Sequence, residues 1–308
     1  MNDTRREVLR ALSEGTAAGP DLAERAGVSR AAVWKHVEAL RDAGFDVESD
    51  GNGYRLAGVP EYGGTAVEYG LHAPYEVEYH DTVDSTNDRA RELAAAGAAE
   101  TVVLADRQTH SKGRLDREWT SPSGGVWASV VVRPDLSPAG VPLVTLAAAV
   151  ATTRALREAG VDAGIKWPND VLARDDGRKF AGILTEMEGE ADRVNWVVVG
   201  VGANVNVDAA DLPETATSVR ERVGDVDRRA FVQRLLEAFH DLLGDPDAVL
   251  DAWREQALTL GQRVRVETPS GDVVGEAVDV EPPGTLVVAT DDGDRRVHAG
   301  DCEHLRPA

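Results

Sequence analysis

The stretch GIKWPNDVL, Gly164 to Leu172, sets a lysine beside a Trp-Pro turn with an amide and a carboxylate behind it. Lysine is scarce in this chain: of 33 Lys and Arg, only Lys35, Lys112, Lys166 and Lys179 are lysine. Pro168 biases Trp167 toward extended backbone, so the chain is expected to turn out of a strand here. Lys166 then stands at a sheet end, where ligands often sit. Asn169 and Asp170 offer oxygen ligands for a cation such as Mg²⁺, or capping groups for the turn.

Three more polar clusters accompany it. In DTVDSTNDRA, Ser85, Thr86 and Asn87 lie at a strand-to-helix passage. There, hydroxyls and helix N-terminal N–H groups hold an anion or a polar ring, or merely cap the helix. DRQTHSKGRLDREW places Arg107, Lys112, Arg114 and Arg117 within a glycine-containing loop. Long cations on such a loop suit a phosphate-bearing ligand, although a solvated charged loop reads the same way. VVVGVGANVNV is a buried-strand pattern running into Gly202 and Asn204. RKFAGILTE, Arg178 to Glu186, follows the lysine-bearing turn.

Positioning these clusters requires three segments. Residues 1–60 read as three helices and a hairpin. Helical spacing starts at Arg5 to Ser13, Asp21 is placed to cap a second helix, and Ser29 to cap a third. That third helix carries Val33, Trp34, Val37 and Leu40 on one face. FDVESDGNGYRL follows as two alternating strands around a turn, completing the order of a winged helix-turn-helix. Ser29, Arg30, Ala31 and Lys35 are then the candidate DNA contacts; a module that only meets protein is the alternative. Residues 69–258 mix strands and helices without a regular βαβ rhythm, which points to α+β. Strands are predicted at Tyr75 to Tyr79, Val102 to Ala105, Val126 to Arg133 and Trp196 to Val201. Helices are predicted at Asp88 to Ala96, Val144 to Ala159 and Trp253 to Leu260. Residues 259–308 read as four or five short strands closing a small β-barrel.

Composition narrows the class. With 308 residues, 42% hydrophobic and 28% charged, the chain is of the globular kind and long enough for two or three domains. The apolar run around Val141 to Ala151 is predicted to be too short for a membrane span. No leader pattern opens the sequence, and a cytoplasmic location is expected. A single cysteine, Cys302, excludes an internal disulfide. The net charge of −21 argues against broad adhesion to nucleic acid and fits a salt-rich cytosol, where screening acts within about 3 Å at molar ionic strength.

Taken in order, the clusters resemble those of biotin protein ligases. The resemblance rests on Asp84-Ser85-Thr86-Asn87, Gln108-Thr109, Lys112-Gly113-Arg114, Arg117, Trp119-x-Ser121-Pro122, Lys166-Trp167-Pro168-Asn169-Asp170, Ala181-Gly182-Ile183-Leu184 and Gly202-x-Asn204. It spans nearly the whole chain and looks like the bifunctional type, a ligase that is also a biotin operon repressor. It implies a winged helix, a central ligase domain of the class II synthetase-like α+β kind, and a C-terminal SH3-like barrel. It further implies ATP, Mg²⁺ and biotin, formation of biotinyl-5′-AMP, and transfer of biotin to a lysine of a biotin carboxyl carrier domain. A homodimer and operator DNA upstream of biotin genes are the other implied partners, with no membrane.

On this resemblance Lys166 and Arg114 are catalytic. Ser85, Thr86, Asn87, Gln108, Lys112, Gly113, Lys166, Gly182 and Ile183 bind biotin. Lys112, Arg114, Arg117, Trp119, Asn169 and Asn204 hold the nucleotide, with Asp170 and Asn169 as metal ligands. Two positions depart from the family's Gly-Arg-Gly-Arg-x-Gly-Arg loop: Lys112 replaces an arginine and Asp116 a glycine. The first keeps the charge but loses the bidentate fork; the second adds a negative charge. A biotin-sensing regulator without ligase activity and a lipoate–protein ligase are the competing readings.

Overall fold

The computed structural model describes residues 1–114, 117 and 119–305; Asp116 therefore lies outside the described residues. The N-terminal module has its own core. Helices α1 (Asp3–Ser13), α2 (Gly19–Arg25) and α3 (Arg30–Asp42) bury Val8, Leu9, Leu22, Val33, Val37 and Leu40 against one another. Asn2 caps α1 by accepting from Arg5 N at 2.9 Å, and Ser29 caps α3 by accepting from Ala32 N at 3.2 Å. Two expectations fail here. Ala18, not Asp21, is the N-cap of α2, because Pro20 already occupies the first turn and shifts the start upstream. Trp34 does not join the apolar face: it is 54% exposed, while Val33 and Val37 are buried.

The wing follows as strands β1 (Asp46–Asp50) and β2 (Gly53–Gly58), paired antiparallel. Asp50 Oδ1 closes their turn by accepting from Asn52 N (2.7 Å) and Gly53 N (3.1 Å). Gly53 has φ +145°, and a Cβ there would lie 2.3 Å from Ala17 O, so glycine lets the wing dock on the α1–α2 connection.

After α4 (Gly64–Glu68) the chain builds a seven-stranded sheet from β3 (Glu76–Val83), β4 (Thr101–Gln108), β5 (Val126–Val132), β6 (Ala163–Lys166), β7 (Asp170–Ala173), β8 (Lys179–Gly189) and β9 (Val194–Ala203). The order is β3-β4-β5-β9-β8-β7-β6, with β3 and β4 parallel and every other pair antiparallel. Alternation along the strands divides the apolar residues between two faces. Val103, Val131 and Val198 pack under α5 (Thr86–Ala95). Val102, Val130, Val197 and Val199 pack under α6 (Val141–Glu158), which lies against α8 (Arg228–Leu243) and α9 (Pro246–Gln256). The short α7 (Val219–Val223) precedes them.

The segment Pro138–Glu158 is long and apolar enough to cross a membrane, contrary to the expectation of too short a run. Two-thirds of it is buried against sheet and helices, and it serves as the core helix. Helix α9 ends at Gln256, four residues before the predicted end, because Ala257 enters extended backbone and bridges to Ile165 of β6.

The C-terminal barrel comprises β10 (Arg263–Thr268), β11 (Gly271–Glu281), β12 (Thr285–Thr290), β13 (Gly293–Val297) and β14 (Asp301–His304), ordered β13-β12-β11-β10-β14. Its apolar residues, among them Val264, Val266, Ala277, Leu286 and Cys302, belong to the same continuous core as the central sheet. Trp167 fixes the join: its backbone N–H donates to Thr259 Oγ1 (2.9 Å) and its indole N–H to Gly284 O (3.0 Å), beside a cis Trp167–Pro168 bond.

Candidate functional site

Two adjoining cavities open on the α5 face of the sheet, where the strands run past that helix's N-terminus. The inner one, about 500 Å³ with its mouth, is lined by Ser85, Thr86, Asn87, Gln108, Lys112, Gly113 and Arg114, and by Gly182, Ile183 and Gly202 of the floor strands. Its polar end is a buried network. Gln108 Oε1 accepts from Thr86 N (2.7 Å) and from Thr86 Oγ1 (3.0 Å), while Gln108 Nε2 donates to Ser121 Oγ (3.0 Å). Ser129 Oγ stands 2.6 Å from Asn87 Oδ1, and Asn87 Nδ2 donates to Glu186 Oε2 (2.8 Å). Ser85, Thr86 and Asn87 are each at least nine-tenths buried. These bonds fix the rotamers at the start of α5, where the helix dipole and remaining N–H groups favour an electron-rich ligand. Ser85 does act as an N-cap, accepting from Asp88 N at 3.3 Å.

Glycines make the floor. Gly182 of β8 pairs with Gly202 of β9, and Gly200 pairs with Ser129 of β5. A Cβ on Gly202 would meet Trp119 Nε1 at 2.8 Å, and one on Gly200 would meet Asn87 Oδ1 at 2.2 Å. Side chains are absent from the strands so that Trp119 can lie on the sheet and Asn87 can reach into it. Trp119 lines both cavities and is partly exposed, so it is no core tryptophan.

Besides Lys112 on the inner cavity, the lysine at the site is Lys179. It lines both cavities, its Nζ is 2.6 Å from Asp170 Oδ1, and the same Nζ is 4.9 Å from the centre of the Trp119 ring. Lys166, the lysine expected from the sequence, lines neither. It ends the outermost strand, β6, close enough to Cys302 and His304 of the barrel to act on both electrostatically. Burial pushes the Cys302 thiol up to about 11 and the His304 imidazole down to about 4, and Lys166 lowers both.

The register explains why Lys179 escaped sequence reading. Asp170 pairs with Gly182 but Leu172 pairs with Lys179, so a bulge in β8 absorbs one residue. Asp170 and Leu172 share a face of β7; hence Lys179 and Gly182, three apart, also share one. Strict alternation assigns them opposite faces.

The outer cavity, about 870 Å³, extends from Lys179 and Trp119 to Asn204, Pro213, Ala216 and Asp301. Asn204 is 1% exposed; its Nδ2 donates to Lys179 O (3.3 Å) and Thr217 O (3.2 Å), while its Oδ1 is buried without a partner. Trp119 Nε1 is likewise a buried donor without an acceptor among the described residues. The cationic loop closes one side and is anchored on the barrel. Arg114 donates to Asn169 Oδ1 (2.8 Å) and Gly300 O (2.9 Å), and Arg117 pairs with Asp301 at 2.5 Å. Lys112 and Gly113 complete the rim.

Asn169 and Asp170, the expected metal ligands, both line the outer cavity and both have protein partners. Asp170 is committed to Lys179 and Asn169 Oδ1 to Arg114, while Asn169 Nδ2 donates to Ile183 O at 2.9 Å. Among the described residues no group of three or more His, Cys, Asp or Glu could hold a metal ion. Asn169 also positions Arg114. Missed by the sequence reading, besides Lys179, are Ser111, Ser121 and Ser129, which extend the polar network, and the Pro213–Ala216 wall. Of the four DNA candidates, Ser29 caps α3, and Arg30, Ala31 and Lys35 are exposed along it.

Similarity to known proteins agrees with this geometry. Residues 79–204 match the model of the biotin/lipoate A/B protein ligase family, residues 259–305 that of the biotin protein ligase C-terminal domain, and residues 4–55 an HTH domain model. The bifunctional ligase/repressor BirA of Bacillus subtilis is 38% identical over 305 residues, covering 92% of this chain and 93% of that protein. The biotin–[acetyl-CoA-carboxylase] ligase of Mycobacterium tuberculosis is 35% identical over 72% of this chain and 86% of its own length. The solved biotin protein ligase of Aquifex aeolicus, in complex with biotin and ATP, superposes with a TM-score of 0.64 at 26% identity, covering 74% of this chain and 99% of that one.

Proposed function

The chain belongs to the biotin protein ligase family, and from that premise we propose that the inner cavity seats biotin, the outer cavity seats ATP, and Lys179 works where they meet. The enzyme joins biotin to AMP and passes the biotinyl group to a lysine of a carrier protein. It is also a repressor, binding DNA through its N-terminal helix-turn-helix module.

The observation that carries the site assignment is that Lys179 alone among the four lysines lines both cavities. The obstacle to adenylation is repulsion between a carboxylate and a triphosphate, roughly 4 kcal/mol per unit charge pair at ~4 Å and an effective dielectric of about 20. An ammonium at the junction offsets that repulsion and follows the charge as the carboxylate oxygen attacks the α-phosphorus and pyrophosphate leaves. Asp170 and the Trp119 ring hold the ammonium in place before substrate arrives. The ureido ring of biotin meets the Ser85, Thr86 and Gln108 end. The orphaned Asn204 Oδ1 is an acceptor suited to the adenine amino group. Arg114 and Arg117 face the phosphates, and Arg114 is oriented by Asn169.

ATP–pyrophosphate exchange tests this reading: exchange with biotin and not with lipoate is expected. Exchange with lipoate alone points to the related ligase, and none with either to a sensor. We further propose that the chain is cytoplasmic and binds palindromic DNA upstream of biotin genes as a homodimer, matching two-fold DNA to a two-fold protein. Sedimentation showing a monomer with biotin, ATP and DNA all present would contradict the dimer.

A further inference from the structure

The N-terminal module is poorly equipped to bind DNA by charge. Residues 1–58 carry eight Lys and Arg against ten Asp and Glu. Five of those eight, Arg6, Arg10, Arg25, Arg41 and Arg55, are already paired with carboxylates. Arg41 is also fixed to the wing, donating to Val47 O at 2.6 and 2.9 Å. The wing itself exposes Asp46, Glu48 and Asp50, a surface that phosphate repels. On α3, Arg30 and Lys35 are exposed and have no ion pair among the described residues.

Between them stands Trp34. Four large apolar side chains are exposed among the described residues, and Trp34 is the largest and most exposed, at 54%. It sits four residues after Arg30 and three after Ala31, so helical spacing puts all three on one outward face. Val33, Val37 and Leu40 face the module's core. Nothing in the module's packing requires the indole: it belongs neither to the module's core nor to the apolar residues packed against it, and it flanks the buried stripe of its own helix. An indole held in the open on the solvent face of this helix is an apolar contact without its partner.

Resting on the repressor reading, we infer that Trp34 is a specificity-determining residue of the DNA interface, packing against the 5-methyl group of a thymine in the major groove. Thymine is the base that displays an apolar group there, and apolar side chains are its readers. The contact does not depend on counterion release. It therefore supplies binding that the two exposed cations of α3 cannot, in a domain whose net charge opposes the duplex.

The test uses the full-length protein with biotin and ATP, and DNA selected by the wild type from a random-sequence pool. Each thymine of the selected site is then replaced by uracil, which removes only the methyl group. For the wild type, uracil at one thymine per half-site is expected to weaken binding about four-fold, the worth of one buried methyl group. Trp34→Ala, with its fold verified by circular dichroism, is expected to bind at least ten-fold more weakly and to be indifferent to that uracil. Arg30→Ala is expected to keep the uracil effect and to flatten the salt dependence. Equal uracil effects in the wild type and Trp34→Ala, or wild-type affinity in Trp34→Ala, would overturn the inference while leaving the repressor reading intact. Failure of the wild type to select any sequence would overturn both.

Discussion

Lys179 and Asp170 meet at 2.6 Å across neighbouring strands, on a register shifted by a β-bulge, where Lys179 lines both cavities and Asp170 the outer one. Both side chains are about a quarter exposed, so the pair stays in contact with solvent and its ammonium remains available to an arriving anion.

The glycine floor of the inner cavity leaves no room for a side chain at Gly200 or Gly202. Gly200→Ala drives a methyl group to within 2.2 Å of Asn87 Oδ1, and Asn87 is tied to Ser129 and Glu186 and has nowhere to move. Overpacking of this kind costs about 1–3 kcal/mol. Isothermal titration is expected to show the biotin Kd raised about ten-fold, in line with 1.4 kcal/mol per decade. An unchanged Kd would contradict placement of biotin on this floor.

Gln108 connects the start of α5 to the serines of the loop. Gln108→Leu leaves Thr86 N–H without its acceptor, at about 1–3 kcal/mol for a buried group, and leaves Ser121 Oγ with Ser111 Oγ as its side-chain partner. Thermal unfolding is expected to shift down by at least about 2 °C, together with a loss of biotin affinity. A lower melting temperature with biotin affinity intact would make the network purely structural.

Much of this arrangement is readable from residues alone, and the exceptions share a cause. The Ser85-Thr86-Asn87 passage, the cationic loop and the glycine-bearing strand are local signals, and they meet around one cavity. Lys179 was hidden by a bulge, which local alternation cannot reveal because the register is set by the partner strand. Sequence spacing places Trp34 on one face with Val33, Val37 and Leu40, but consecutive helical residues stand about 100° apart, and the indole falls outside the buried stripe. The barrel read as a separate unit, whereas its apolar residues complete the core of the central sheet. Which surfaces join is a property of the packed chain.

The joint between sheet and barrel is sensitive to acid. His304 Nε2 lies 3.0 Å from Thr259 Oγ1, which also accepts from Trp167 N. Burial, with Lys166 nearby, lowers the imidazole from 6.5 to about 4. Between these values the unfolded chain binds the extra proton, so the contribution is complete above about pH 6.5 and is lost as pH falls toward 4. His304→Gln is expected to lose less stability than the wild type between pH 7 and 4.5, measured by urea unfolding. Parallel losses would contradict it.

A net charge of −21 on 308 residues destabilises the compact state until salt screens it. The unfolding midpoint is therefore expected to rise between 0.1 M and 2 M KCl. A midpoint flat over that range would remove the inference of a salt-rich cytosol.

The assignment of the reacting lysine is tested most directly by single-turnover formation of biotinyl-5′-AMP in two variants. Lys179→Ala is expected to slow adenylation by a factor of 10² or more, on the order of one lost electrostatic group at a reacting centre. Lys166→Ala, on the outer strand beneath the barrel, is expected to retain the rate within a few-fold. A wild-type rate in Lys179→Ala, or collapse confined to Lys166→Ala, would contradict the account.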